Sequence, residues 1–221
     1  MKRGLLWLTL ALMAGAPAAH GEPKTFELDP VHSCVLFRIQ HLYTMFTGRF
    51  NAFSGSITGD PDDPSSLRVT AEVDILSVDT ANKDRETHLL TPDFFDAKRF
   101  AVARFTSTRT VPGENKTAQV TGNLTIRDVT REVTFAVKFL GYGPDHAKGK
   151  RAGFHAETRI NRQDFGVSYP GKMPDGRVVL GDEVDLILEI EAIEKEAAAP
   201  AKSLAERPAE IKEASPTRPA R

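Results

Sequence analysis

The chain has 221 residues, 29 Lys and Arg against 30 Asp and Glu, and 40% hydrophobic residues. That charge balance excludes a broad basic surface made for nucleic acid, and the apolar content excludes a wholly disordered chain. A single Cys excludes an internal disulfide and every multi-cysteine metal or iron–sulfur site, while thirteen Phe outnumber three Tyr and one Trp.

Residues 1–21 read as an export signal: Lys2 and Arg3, the apolar run Leu5 to Ala14, then small residues at Ala16-Pro17-Ala18 and Ala19-His20-Gly21. The run is too short for a transmembrane helix, so the mature protein is expected to be soluble and periplasmic. From residue 35 onward alternation dominates, the signature of strands with one buried face. Val35, Phe37, Ile39 and His41 share one parity, as do Phe53, Gly55 and Ile57; Phe50 is out of phase with Phe53, which suggests a bulge near Asn51–Ala52. Further stripes are Val69–Ile75, Ala101–Phe105, Val120–Ile126, Val133–Phe139, Phe154–Ile160 and Val184–Ala192. Turn chemistry separates them at Gly59–Pro64, Pro112–Asn115 and Arg127–Asp128. Asn82–Leu90 breaks the pattern and reads as a helical insertion, followed by Phe94, Phe95 and Phe100. About eight antiparallel strands leave a closed barrel or a two-sheet sandwich, and an eight-stranded barrel is filled by side chains or holds one small ligand. Beyond residue 194 large apolar residues are almost absent, so 23–194 is the folded body and 195–221 a flexible, basic tail.

No catalytic motif is present: no nucleophile elbow, dinucleotide fingerprint, P-loop or His-Glu-x-x-His. Cys34 reads as a half-buried strand residue. His32, His41, His88, His146 and His155 are scattered and form no close pair at metal-ligand spacing, so no metal is expected. His41 continues an inward stripe and places a polar group at one end of an apolar interior, or is a satisfied structural histidine. Arg85 and His88 lie three apart on one helix face, where they either hold a head group or pair locally. Arg162 and Asp164, alternate on a strand, read as an ion pair.

Taken together, several blocks resemble the YceI-like family of exported, polyisoprenoid-binding bacterial proteins. They are Asp29-Pro30-Val31-His32-Ser33, Gly48-Arg49-Phe50, Ser77-Val78-Asp79-Thr80 with Asn82, Arg85 and His88-Leu89, and Asp93-Phe94-Phe95-Asp96. Gly122–Ile126, Val129–Val133, Asn161–Gly166 and Gly181–Val184 follow in order. The resemblance runs from about Phe26 to Ala192. It implies an all-β fold, an eight-stranded antiparallel lipocalin-like barrel with a short helical insertion around residues 82–100. It also implies a hollow channel holding a polyisoprenoid or similar long-chain lipid or quinone, with no enzymatic activity and no cofactor. Under that reading Val35, Phe37, Ile39, Phe50, Phe53, Phe94, Phe95, Phe105, Leu124, Phe135, Phe139, Phe154, Phe165, Leu186 and Leu188 line the channel. His41, Arg85 and His88 are the head-group candidates. A transient membrane-surface contact and a homodimer are compatible with it. Two other readings stay open: a secreted stress or interaction protein with a filled barrel, and a lipid- or quinone-modifying enzyme using His41 or His88.

Overall fold

The computed structural model describes residues 22–60, 63–146, 149–169 and 171–195. Residues 1–21 of the expected signal and 196–221 of the expected tail lie outside the described residues. The described strands are β1 Lys24–Leu28, β2 Cys34–His41, β3 Thr44–Phe50, β4 Phe53–Gly59, β5 Arg68–Asp74, β6 Val78–Asp79, β7 Val102–Pro112, β8 Thr117–Ile126, β9 Val129–Pro144, β10 Lys150–Asn161 and β11 Leu180–Glu194. Among the described residues one α-helix, α1, spans Lys83–Leu89.

Strands β1, β4, β5, β7, β8, β9, β10 and β11 pair in that order, and β11 returns to β1, which closes an eight-stranded antiparallel barrel. The remaining three strands follow from β11. Its free edge is shared: Ala192–Glu194 pair with β1, and Leu180–Glu189 pair with β2. Thus β1 and β2 are halves of one broken strand, and β3–β4 and β5–β6 repeat the arrangement. The bulge expected at Asn51–Ala52 is a complete break. It is stitched to the third break by Asn51 N–H donating to Ser77 O (3.1 Å) and Ala52 N–H to Ser77 Oγ (2.9 Å).

At the first break the chain leaves the sheet through Asp29–Ser33, and hydrogen bonds replace the lost ladder. Asp29 N–H donates to Glu191 O (2.8 Å), and Ser33 Oγ exchanges bonds with the Glu191 backbone (2.9 and 3.1 Å). The buried Asp29 carboxylate accepts from Val31 N–H (2.9 Å) and lies 2.8 Å from His32 Nδ1. Arg151 of β10 binds Asp29, Glu191 (2.7 Å) and Asp145 (2.8 Å) with one guanidinium.

Two strand-central glycines keep aromatic rings against the wall. Gly48 is paired directly with Phe37, whose ring occupies the space a Cβ would need. Gly122 lies beneath Phe105 in the same way. The rings therefore lie along the wall rather than across the lumen.

Helix α1 and the segment after it cover one end of the barrel. Asn82 caps the helix, its Oδ1 accepting from Arg85 N–H at 2.9 Å. Glu86 is buried and accepts from Thr80 N–H (2.8 Å), Asn82 N–H (3.4 Å) and Lys83 Nζ (2.8 Å). These donors, Lys83 foremost, hold its carboxyl down to about 2. A depressed carboxyl contributes stability that is complete above its unfolded value near 4.5 and is lost as pH falls through 2. Glu86→Gln is accordingly expected to melt below wild type at neutral pH, with a gap that narrows between pH 4.5 and 2. Thermal melts across that range check it; a gap independent of pH contradicts the assigned role.

Most of the buried apolar residues form three clusters among the described residues. Ile39, Leu124, Ile160, Phe165 and Val184 lie toward the helix end. Phe26, Ile57, Ala152 and Ala192 lie at the opposite end. Phe50, Ile75, Val78 and Ala97 pack beneath α1. Between them is open space.

Candidate functional site: an apolar channel

A cavity of about 770 Å³ runs through the barrel. It falls within the range of roughly 300–1,000 Å³ that single-ligand sites occupy. On β10 its lining runs from Ala152 to Ile160. About eight strand steps of ~3.3 Å, tilted by roughly 40°, make the interior on the order of 20 Å long. Every strand but β6 contributes to the lining: Val35, Phe37 and Ile39 from β2, Val69, Ala71 and Val73 from β5, and Val184, Leu186, Leu188 and Ile190 from β11 are examples. Phe37, Phe105, Phe154 and Leu186 point inward yet are only half-buried, because part of each side chain faces the cavity. The barrel is hollow, which corrects the filled-barrel alternative. Gly48 and Gly122 contribute to that space by letting the Phe37 and Phe105 rings lie against the wall.

Val35, Phe37, Ile39, Phe50, Phe53, Phe94, Phe95, Phe105, Leu124, Phe135, Phe139, Phe154, Phe165, Leu186 and Leu188 are placed along this cavity. Sequence reasoning missed Phe26, Phe46 and Tyr169, which also line it. Phe46 alternates with Phe50 on β3 and was findable by parity. Tyr169 sits in an aperiodic loop, where no periodic signal exists.

Polar groups gather at the helix end. His41 and Arg85 are exposed and border the cavity with His88. The Arg85 guanidinium lies 4.1 Å from the Phe46 ring centroid and donates to Thr80 O at 2.8 Å. Among the described residues no carboxylate forms an ion pair with it. His88 Nε2 is 3.1 Å from Asp93, and its ring meets Phe94 and Tyr169 edge-on at 5.0 and 5.1 Å. Phe94 and Tyr169 stack at 4.9 Å. The structure therefore brings Arg85 and His88 together beside the cavity. His88 pairs with Asp93, just beyond its own helix, and not with Asp84 or Glu86 of that helix.

Arg162 corrects its expectation. Arg162–Phe165 is a 3-10 turn, not a strand, so Asp164 is not on its face. The buried guanidinium instead donates to Gly181 O (2.9 Å), Val167 O (2.6 Å) and Asp182 (2.8 Å), holding the loop that follows β10 against β11. The opposite end of the channel is walled by Phe26 against Tyr142 (5.9 Å) and Phe139 against Phe154 (5.5 Å), and reaches the exposed β7–β8 turn at Pro112–Thr117.

Among the described residues one cluster has metal-ligand composition: ligand atoms of Asp29, His32 and Glu191 lie within 4.8 Å of one another. The Arg151 guanidinium already donates to both acids and supplies the charge a cation would bring. It is an ion-pair clamp. These contacts, Arg151 first and His32 next, hold the Asp29 carboxyl well below the usual carboxylate range.

The model of the YceI-like domain matches residues 26–192. Protein YceI of Escherichia coli O157:H7 is 37% identical over 200 residues, covering 88% of this chain and all of that protein. Among solved structures, BcnA of Burkholderia cenocepacia superimposes with a TM-score of 0.66 at 24% identity, covering 74% of this chain and 98% of BcnA. A polyisoprenoid-binding domain from Saccharophagus degradans superimposes with a TM-score of 0.58 at 16% identity, covering 77% of this chain and 98% of the domain. Those two likenesses carry the barrel fold. The match over almost the whole barrel and the full-length relative carry more: the chain belongs to the YceI-like domain family.

Proposed function

We propose that the protein is an exported, non-catalytic carrier that holds one long isoprenoid chain, or a similar prenyl lipid or quinone, in the barrel channel. The observation that carries this reading is the long apolar cavity, lined almost wholly by aliphatic and phenyl side chains. Each methylene moved from water into such a lining gains about 0.8 kcal/mol. Ordering a flexible chain cancels part of that gain, so affinity grows with chain length while chemical detail matters little. Arg85, His88 and His41 border the cavity at its helix end, where they would orient the head group of a bound chain. The polyisoprenoid-binding description of the Saccharophagus domain supports the ligand class, and the signal-like residues 1–21 support a periplasmic location.

Binding is favoured over catalysis because Arg85, His88 and Arg162 beside the cavity are engaged in loop, ion-pair and ring contacts. Among the described residues none forms a nucleophile–base pair. Mass spectrometry of solvent extracts from the protein purified from its native host tests the reading. A prenyl lipid at about one per chain is expected. An extract without one, together with no uptake of prenyl alcohol from detergent micelles, contradicts it.

A further inference from the structure

A long prenyl chain does not leave a bilayer for water unaided, so a carrier must meet the membrane surface. The helix end of the barrel carries a lip suited to that contact. The β2–β3 turn and the segment 171–179 are joined by Leu42 N–H donating to Val179 O at 2.8 Å. Arg177 donates to Tyr43 Oη and sits 5.9 Å from its ring centroid. On this joined edge Tyr43, Met45 and Val178 are 77%, 51% and 55% exposed. None of the three lines the cavity, but their neighbours His41, Thr44, Val179 and Leu180 do. The apolar edge therefore continues directly into the channel mouth.

Its charge has a direction. Between Gly171 and Val179 the cations are Lys172 and Arg177, and the acid is Asp175, which Arg177 already binds at 2.7 Å. Lys172 is exposed and has no ion-pair partner among the described residues. A tyrosine, a flexible thioether and an aliphatic side chain flanked by Arg and Lys match the composition of protein edges that enter the lipid head-group layer.

We propose that this lip, Tyr43, Met45 and Val178 with Lys172 and Arg177, docks on a bilayer surface bearing anionic head groups, so that the channel loads and unloads directly against the membrane. The inference rests on the carrier reading above. The test uses the full chain with phosphatidylglycerol–phosphatidylethanolamine vesicles and with phosphatidylcholine vesicles. Prenyl alcohol uptake from detergent micelles is measured separately. Wild type is expected to float with the anionic vesicles and to be released by salt. Lys172→Gln lowers that binding about fivefold. Tyr43→Ser/Met45→Ser/Val178→Ser lowers it by roughly tenfold or more. In all these variants uptake from micelles stays at the wild-type level. Leu140→Ser, also exposed but on β9, leaves vesicle binding unchanged. The proposal is overturned if wild type ignores anionic vesicles, if the triple variant floats like wild type, or if Leu140→Ser is equally impaired. Wild type that takes up no prenyl alcohol from micelles overturns the carrier reading instead.

Discussion

Ala71→Phe is expected to weaken prenyl-lipid binding about fiftyfold while leaving the melting temperature within a few degrees of wild type. Ala71 lies on β5 with its side chain toward the cavity, opposite Phe105 of β7. A phenyl group there extends into open space rather than into packed neighbours, so the usual penalty of overfilling a core does not arise. It displaces ligand instead. If it excludes about three methylenes at ~0.8 kcal/mol each, the loss is about 2.4 kcal/mol, or roughly fiftyfold in affinity. Ala103→Phe, on the adjacent β7, is expected to act alike because Ala103 also borders the cavity. Thr70→Phe, one residue away on the exposed face of β5, serves as the control and leaves binding unchanged. Titration by native mass spectrometry, with thermal melts alongside, reads both quantities. Equal affinities for the Ala71 and Thr70 variants would contradict placement of the ligand inside the barrel.

Arg151→Met is expected to lower the melting temperature by on the order of 10 °C. Its one guanidinium joins Asp29, Asp145 and Glu191, drawn from the first strand break, the turn after β9 and β11. Methionine keeps most of the side-chain length but leaves three carboxylates facing one another without their shared cation. Arg151→Lys recovers only part of the loss, because a point charge cannot serve three acids through a planar fork. The pH dependence carries its own sign. Asp29 is held below the usual carboxylate range, so its contribution is complete above the ordinary carboxylate pKa and fades as pH falls through its lower folded value. The deficit of Arg151→Met is therefore largest near neutrality and shrinks in acid. A deficit that grows in acid contradicts the clamp. A ligand that binds the folded barrel would raise the melting temperature of both proteins, so the comparison is made on delipidated protein.

Much of this fold is legible in period-2 alternation. The stripes of β2, β5, β8, β9, β10 and β11 read directly, because each faces an apolar lumen on one side and water on the other. The helix is legible too: Asn82 and the charged run after it mark an N-terminus, and α1 begins at Lys83. What stayed hidden has local physical causes. Gly48 interrupts the Phe46–Phe50 stripe of β3, and only its partner Phe37 explains why a glycine belongs there. The Asp-Pro-Val-His-Ser block carries no periodic signal because it is the place where a strand leaves the sheet. Its meaning depends on Arg151, more than a hundred residues away in sequence. Arg162 misleads for a similar reason: its partners lie across the chain at Gly181 and Asp182 rather than two residues on. At the channel mouth the side chains of α1 could be placed on a shared face, but the aromatic cluster of His88, Phe94 and Tyr169 required the loop beyond β10 to fold back.

The most direct test is photolabelling of the full chain with a prenyl alcohol carrying a diazirine along its hydrocarbon chain. Labelled peptides are expected to map to inward residues of several strands, Phe105, Phe135, Phe154 and Leu188 among them. The label should saturate at about one per chain, disappear with unlabelled prenyl alcohol and fall in Ala71→Phe. Label confined to exposed faces, or label that unlabelled prenyl alcohol does not displace, would contradict a channel that holds the chain.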